Sequence, residues 1–145
     1  MAIRPLLNGD VERIAAIEQA SPSPWSAALI AAEFERSQGL QLVAVGEDTV
    51  LGWCCGFHAG IEAELLKIAV SPSQRRCGLG RALLLRFEDL CRDRGCEFLF
   101  LEVRAANTAA TGLYKSLGYR TIGCRKKYYS NPQDDALILR KSFLS

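Results

Sequence analysis

At 145 residues, 49% of them hydrophobic and 23% charged, the chain has the size and composition of one folded domain, which excludes a disordered or fibrous segment. Eighteen basic and sixteen acidic residues, interspersed and summing to a formal charge of +2, exclude an extended footprint for a nucleic-acid backbone or a membrane surface; no direct nucleic-acid or membrane partner is expected. With no apolar run of signal-peptide length in MAIRPLLNGDVERIAAIEQA and none of the ~18 residues needed to span a bilayer, a cytoplasmic protein is expected.

Ile3 to Leu7 reads as a short strand, and Asn8 or Asp10 as the cap of a helix whose apolar face is Val11, Ile14, Ala15 and Ile17. Ser-Pro-Ser-Pro at 21 to 24 breaks the chain, and Ser26 caps a second helix reaching roughly Arg36. Leu40 to Val45 and Val50 to Phe57 are β-rich and joined by Gly46-Glu47-Asp48-Thr49, so they pair as an antiparallel hairpin. Ala63 to Val70 is a third strand, whose almost unbroken apolar run predicts burial on both faces. After Gln74 to Gly80, the stripe Leu83, Leu84, Phe87, Leu90 and Cys91 marks a helix ending before Gly95. Phe98 to Val103 is the next strand; Asn107 caps a helix carrying Leu113, Tyr114 and Leu117; Gly118 closes it, a strand begins at Tyr119, and Ala136 to Arg140 is the last. The sum is one α/β domain over residues 1–145, an α+β mixed sheet with a mostly antiparallel front half and a strand-helix-strand centre.

The six cysteines (Cys54, Cys55, Cys77, Cys91, Cys96, Cys124) lack CxxC spacing, and only one histidine, His58, accompanies them. Reduced thiols packed as small hydrophobes are expected, and no metal.

Chemistry concentrates after the third strand. Gly78 and Gly80 free the backbone to curl at a helix start, where successive N–H groups and the helix dipole favour an anion, and Arg75, Arg76 and Arg81 add charge suited to a pyrophosphate. Alone, such a turn is equally a helix start with solvated arginines; it lacks the lysine and Ser/Thr of a P-loop and the third glycine of a dinucleotide fingerprint. Glu102 is a carboxylate inside Phe-Leu-Phe-Leu-Glu-Val, a strand expected to be mostly buried, where an unpaired charge is costly; it is either a base or the partner of an arginine. Tyr114, on a helix with Leu113 and Leu117, reads first as an amphipathic core tyrosine and only second as a catalytic group.

The order of these motifs resembles the GNAT acetyltransferases. Arg75-x-x-Gly78-x-Gly80 behind a strand is similar to their acyl-CoA pyrophosphate loop. Leu101 to Asn107 with Leu113 to Tyr119, the closing segments Arg125 to Tyr129 and Asp135 to Leu139, and Pro24-Trp25-Ser26 resemble the RimI type, the ribosomal-protein-alanine N-acetyltransferases. The resemblance implies the GNAT fold, with central parallel strands that splay to admit acetyl-CoA. It implies that Ile68, Ala69 and Val70 present backbone to the pantetheine arm and acetyl carbonyl, that Arg75, Arg76, Cys77, Gly78, Leu79, Gly80 and Arg81 bind pyrophosphate, and that Asn107 contacts the coenzyme. Glu102 is implied as general base and Tyr114 as general acid, acting on the N terminus of a small-subunit ribosomal protein, an alanine. Two residues depart from the pattern: Lys67 stands where a small polar residue is common, and Cys77 at a loop position often basic.

An α-amino acceptor, with a pKa near ~7.8, is easier to deprotonate than a lysine near ~10.4. Glu102 serves it if raised by burial or if it works through water; Tyr114 serves the leaving thiolate if its pKa is lowered, or by a strong hydrogen bond. His58, the only histidine, lies in a glycine-flanked segment remote in sequence from every plausible nucleophile, so direct transfer in a ternary complex is expected rather than a covalent route. Two other functions fit the same residues: acetylation of lysines or small amines, and a CoA-binding sensor without turnover. Arg125-Lys126-Lys127 is a solvated face, a contact for the 3′ phosphate, or a ribosomal contact.

Overall fold

The computed structural model describes residues 1–144. Seven strands form one sheet in the order β1-β2-β3-β4-β5-β7-β6. The hairpin chemistry of Glu47-Asp48 is realised: both residues take positive φ, 48° and 63°, and join β2 (Gly39–Gly46) to β3 (Thr49–Ala59) by a two-residue turn. The first strand, β1 (Ala2–Pro5), pairs with β2, and β4 (Glu62–Val70) pairs with β3, all antiparallel. A crossover through α3 (Leu79–Asp93) then makes β5 (Phe98–Arg104) parallel to β4. Beyond α4 (Thr108–Ser116), β6 (Arg120–Tyr129) and β7 (Asp134–Ser142) form a hairpin, and β7 inserts antiparallel between β5 and β6.

Strand alternation divides the core. Leu42 and Cys54 face α3 with Leu83, Phe87, Leu99 and Leu101; Val43, Trp53 and Cys55 face the opposite side, where α1 (Val11–Glu18) and α2 (Ala27–Ala32) supply Ile14 and Ile30. The neighbouring cysteines 54 and 55 thus serve two different cores. Cys124 is exposed, which corrects the expectation that it packs as a small hydrophobe; Cys77, in the loop after β4, is exposed as well.

Several boundaries differ from the sequence reading. The first strand ends at Pro5, and Asp10 does not cap α1: its carboxylate accepts from Leu7 N (2.8 Å) and pairs with Arg4 (2.8 Å), a local alternative for a short acidic side chain. Ser26 does cap α2, accepting from Leu29 N at 3.2 Å, and the helix tightens into a 3₁₀ turn at Glu33–Glu35. Among the described residues no helix is long and apolar enough to cross a membrane.

Gly56 lies under Phe87 of α3 and against the β4 backbone. A Cβ there would meet Phe87 Cζ at 2.7 Å and collide with the Glu64 carbonyl, backbone that cannot yield. Gly56→Ala is expected to destabilise the fold by about 3 kcal/mol, read as a fall in the urea midpoint at unchanged m-value.

Candidate active site

The parallel pairing of β4 with β5 runs only from Glu62–Phe98 to Leu65–Leu101, and beyond it the strands part. A bulge in β4 explains where: Gly56 faces Leu65 but Cys55 faces Lys67, so Leu66 is the extra residue and the alternation of the strand reverses after it. Leu65 points to the α3 side, while Leu66, Lys67 and Ala69 point to the α1–α2 side. The gap opens a cleft of about 990 Å³, lined by Ile68 and Ala69 from β4, Glu102 and Arg104 from β5, Asn107, Ala110 and Tyr114 from α4 and its cap, Arg75, and Ser21, Pro22, Ser23 and Trp25 from the α1–α2 loop.

The expected burial of β4 on both faces is therefore corrected. Only Ala63 and Leu65 are buried; the apolar residues from Leu66 to Val70 are half-buried where the strand leaves its neighbour. Ser71 N donates to Leu51 O at 2.8 Å, and two-residue alternation turns the Ala69 peptide groups toward β3 as well. Those of Ile68 and Val70 then face the gap, with no strand to pair them.

At the mouth of the cleft, Gly78 adopts φ +78° with open space around its Cα, and Arg76 also takes the left-handed region at φ 65°. The first helical bond of α3 runs from Ala82 N to Gly78 O (3.0 Å), which leaves the amides of Leu79, Gly80 and Arg81 at a 15-residue helix's positive end without helical partners. Arg75, Arg76 and Arg81, all three exposed, surround them with positive charge. These groups fit a pyrophosphate in charge and donor number. Leu79 contributes only backbone there, its side chain being buried in the core. Of this loop Arg75 alone lines the cleft itself.

Glu102 and Tyr114 approach the gap from opposite faces of the sheet. On β5, Leu101 and Val103 enter the α3 core, so Glu102 and Arg104 stand on the α1–α2 face. Glu102 is 23% exposed and sits 3.5 Å from the Arg125 guanidinium, itself largely in solvent; the strand is less buried at this point than its sequence suggests, and the arginine partner exists. Beside it Glu64 is pushed above the usual carboxylate range by burial and by the charge of Glu102, and both carboxylates border a second hollow of about 370 Å³ with Tyr128 and Tyr129. Tyr114 stands on the other face, packed edge-on to Tyr119 with centroids 5.7 Å apart. Burial, then the proximity of Cys54, pushes its phenol up to about 12. This reverses the lowering that full proton donation requires. The Tyr114 hydroxyl takes no hydrogen bond among the described residues and is not sealed off, so it is free to donate into the cleft. Asn107 caps α4 by accepting from Ala110 N (3.1 Å), which leaves its amide NH₂ as the group available to a ligand.

Residues 11–119 match the model of the acetyltransferase (GNAT) family. The chain belongs to the GNAT acetyltransferases. It is accordingly an acetyl-transferring enzyme. It is 38% identical over 125 residues to the ribosomal protein bS18-alanine N-acetyltransferase of Escherichia coli, covering 84% of this chain and 83% of that one. The crystal structure of the ribosomal-protein-S18-alanine N-acetyltransferase from Escherichia coli superposes with a TM-score of 0.91 at 33% identity, covering 99% of this chain and 94% of that one. Ard1 from Thermoplasma volcanium gives 0.89 at 30% identity, covering 99% and 98%. The expected fold, a mixed sheet with splayed central parallel strands, is the one these GNAT structures share with this chain.

Three residues at or beside this GNAT cleft, of which Arg104 lines it, were not singled out for the site by sequence. Glu18, fully buried, accepts from Trp53 Nε1 (2.8 Å) and Trp25 N (3.0 Å) and pairs with Lys67 (3.2 Å). Arg104 bonds to Ser23 Oγ (2.9 Å) and Pro132 O (2.8 Å) and stacks over Tyr129. Glu64 is the third. A charged residue at a helical position facing apolar neighbours, as Glu18 does beside Ile14 and Ile17, was the one signal available.

Proposed function

We propose that this chain transfers acetyl from acetyl-CoA to the α-amino group of a protein N terminus, an alanine of a small-subunit ribosomal protein, directly and without a covalent enzyme intermediate. The observation that carries the reading is the gap between β4 and β5, reached by Glu102 from one face and by Tyr114 from the other. Such a gap lets donor and acceptor meet from opposite sides. The name shared by the 38% identical Escherichia coli relative and the crystal structure from the same organism supplies the acceptor.

Acetyl-CoA supplies a thioester carbonyl. The amides of Leu79 to Arg81, with Arg75, Arg76 and Arg81 around them and Gly78 setting the turn, hold its pyrophosphate; Cys77 contributes backbone, and the Asn107 NH₂ adds a donor beside α4. The Ile68 and Val70 peptide groups, facing the gap, hold the pantetheine arm and donate to the carbonyl oxygen as negative charge develops on it, with Ala69 keeping the strand on β3. As the amine nitrogen bonds to the carbonyl carbon, Glu102 accepts the proton the nitrogen loses, directly or through one water. The carbon–sulfur bond then breaks. A phenol pushed up to about 12 would deliver its proton to a thiolate of conjugate-acid pKa near ~8.5 uphill by roughly 5 kcal/mol. Tyr114 therefore stabilises the departing sulfur by donating a hydrogen bond, and the thiolate takes its proton from water afterwards.

The test is a peptide beginning Ala-Arg-Tyr, offered with acetyl-CoA beside the same peptide blocked at its N terminus and bearing a lysine, with the added acetyl group located by mass spectrometry. Acetyl on the free N terminus alone is the expected result. Modification of the lysine would replace this acceptor by a side-chain amine, and coenzyme binding without product on either peptide or on polyamines would favour a sensor.

A further inference from the structure

The loop between α1 and α2 crosses the acceptor side of the gap and is tied to both splayed strands. From β4, Lys67 Nζ donates to Ser21 Oγ (2.9 Å) and Ser23 O (3.1 Å) while paired with the buried Glu18 carboxylate (3.2 Å). From β5, Arg104 Nη2 donates to Ser23 Oγ (2.9 Å) and its Nη1 to Pro132 O (2.8 Å), so the β6–β7 loop is drawn into the same tie. Ser23 is thus held by its carbonyl from one strand and by its hydroxyl from the other. Pro22 and Pro24 on either side of it stiffen the segment, and Glu18 fixes its exit by accepting from Trp25 N. Both strands have already stopped pairing with each other at Leu65 and Leu101, so the loop is what spans the gap at this level. The bulge at Leu66 is what turns Lys67 to this face; in regular alternation it would follow Leu65 into the α3 core.

We propose that Lys67 and Arg104 are positioning residues that clamp Ser21 to Ser23 as a strap across the acceptor entrance, and that the clamped strap restricts the acceptor's first side chain to a small one. The inference rests on the amine entering from the Glu102 face, as in the proposed function. Ser21, Pro22 and Ser23 form a wall of the cleft that Glu102 lines. A wall held at three hydrogen bonds by cations rooted in two strands does not retreat for a larger residue, whereas a free loop would.

Lys67→Asn, Arg104→Gln and Ser23→Ala are compared with wild type for the KM and kcat of peptides beginning with Ala and with Phe, for CoA affinity by calorimetry, and for amide hydrogen exchange over residues 20–26. Each variant is expected to raise the Ala-peptide KM about fivefold or more with kcat within about threefold, to shrink the Ala-over-Phe preference at least about fivefold, and to leave CoA affinity unchanged. Exchange in the segment should rise about tenfold, and Lys67→Arg should restore most of the KM. Lys67→Asn also strips a partner from buried Glu18; if it does not fold, Ser23→Ala and Arg104→Gln decide, since both leave that pair intact. Wild-type KM, preference and exchange in those two variants would overturn the clamp. If the wild type acetylates some other amine, the proposed acceptor fails, and the clamp is judged on the KM for that amine and on exchange, which needs no acceptor.

Discussion

Glu102→Gln is expected to lower kcat/KM for the acceptor about 10²- to 10³-fold while changing coenzyme affinity by less than about threefold. Glutamine keeps the shape and one acceptor oxygen but cannot take a proton. The change also removes the Arg125 contact, a 3.5 Å pair whose arginine is 55% exposed, and such pairs contribute ~0–1 kcal/mol at most. Stability should therefore hardly move. Arg125→Gln separates the two roles of the carboxylate: if Glu102 serves only to pair with the arginine, both substitutions lose the same activity, and if it is the base, the arginine variant keeps most of its rate. Glu64 provides a second check. Its carboxyl is raised first by burial and then by the negative charge of Glu102, so in the Glu102→Gln variant Glu64 should titrate lower than in wild type, by carbon-detected NMR. A variant within about threefold of wild type in kcat/KM would remove Glu102 from the chemistry.

What could be read from the sequence was local. Gly78 announces its turn because a positive φ followed by a helix start is written in adjacent residues, and the hairpin at Glu47-Asp48 and the caps at Ser26 and Asn107 are equally short-range. Glu102 stood out because a carboxylate among Phe, Leu and Val needs a reason. The clamp did not, since Lys67 meets Ser21 across 46 residues and Arg104 meets Ser23 across 81. The bulge at Leu66 was invisible for a related reason: it lies across from Gly56, where the Glu64 carbonyl and Phe87 close in, and that meeting of three segments is not written in adjacent residues. The apolar run from Leu65 to Val70 misled because the lining of a cleft and the inside of a core have the same composition. Tyr114 shows the limit for chemistry: the helix periodicity placed it, but what raises it is enclosure by the fold and Cys54, a residue of β3.

Tyr114→Phe is expected to lower kcat about 10- to 100-fold, with the acceptor KM and the shape of the pH profile unchanged. The ring fills the same space against Tyr119, and the lost hydroxyl has no partner among the described residues, so no donor or acceptor is orphaned and the melting temperature should stay level or rise slightly. The sign of the pH dependence follows from the shift. An acid pushed up to about 12 is neutral throughout an assay range of about pH 6 to 9, in which neither the wild-type rate nor stability can respond to its ionisation. A hydrogen bond to the leaving sulfur is available at every pH in that range, and its removal lowers the whole curve in parallel. Proton donation from a phenol of lowered pKa would behave differently: the wild type would lose rate as the phenol ionised, and that alkaline limb would vanish in the Phe variant. Parallel curves thus assign Tyr114 to the sulfur as a neutral donor, while a limb that disappears would mean that bound coenzyme brings the phenol far below its value in the free enzyme.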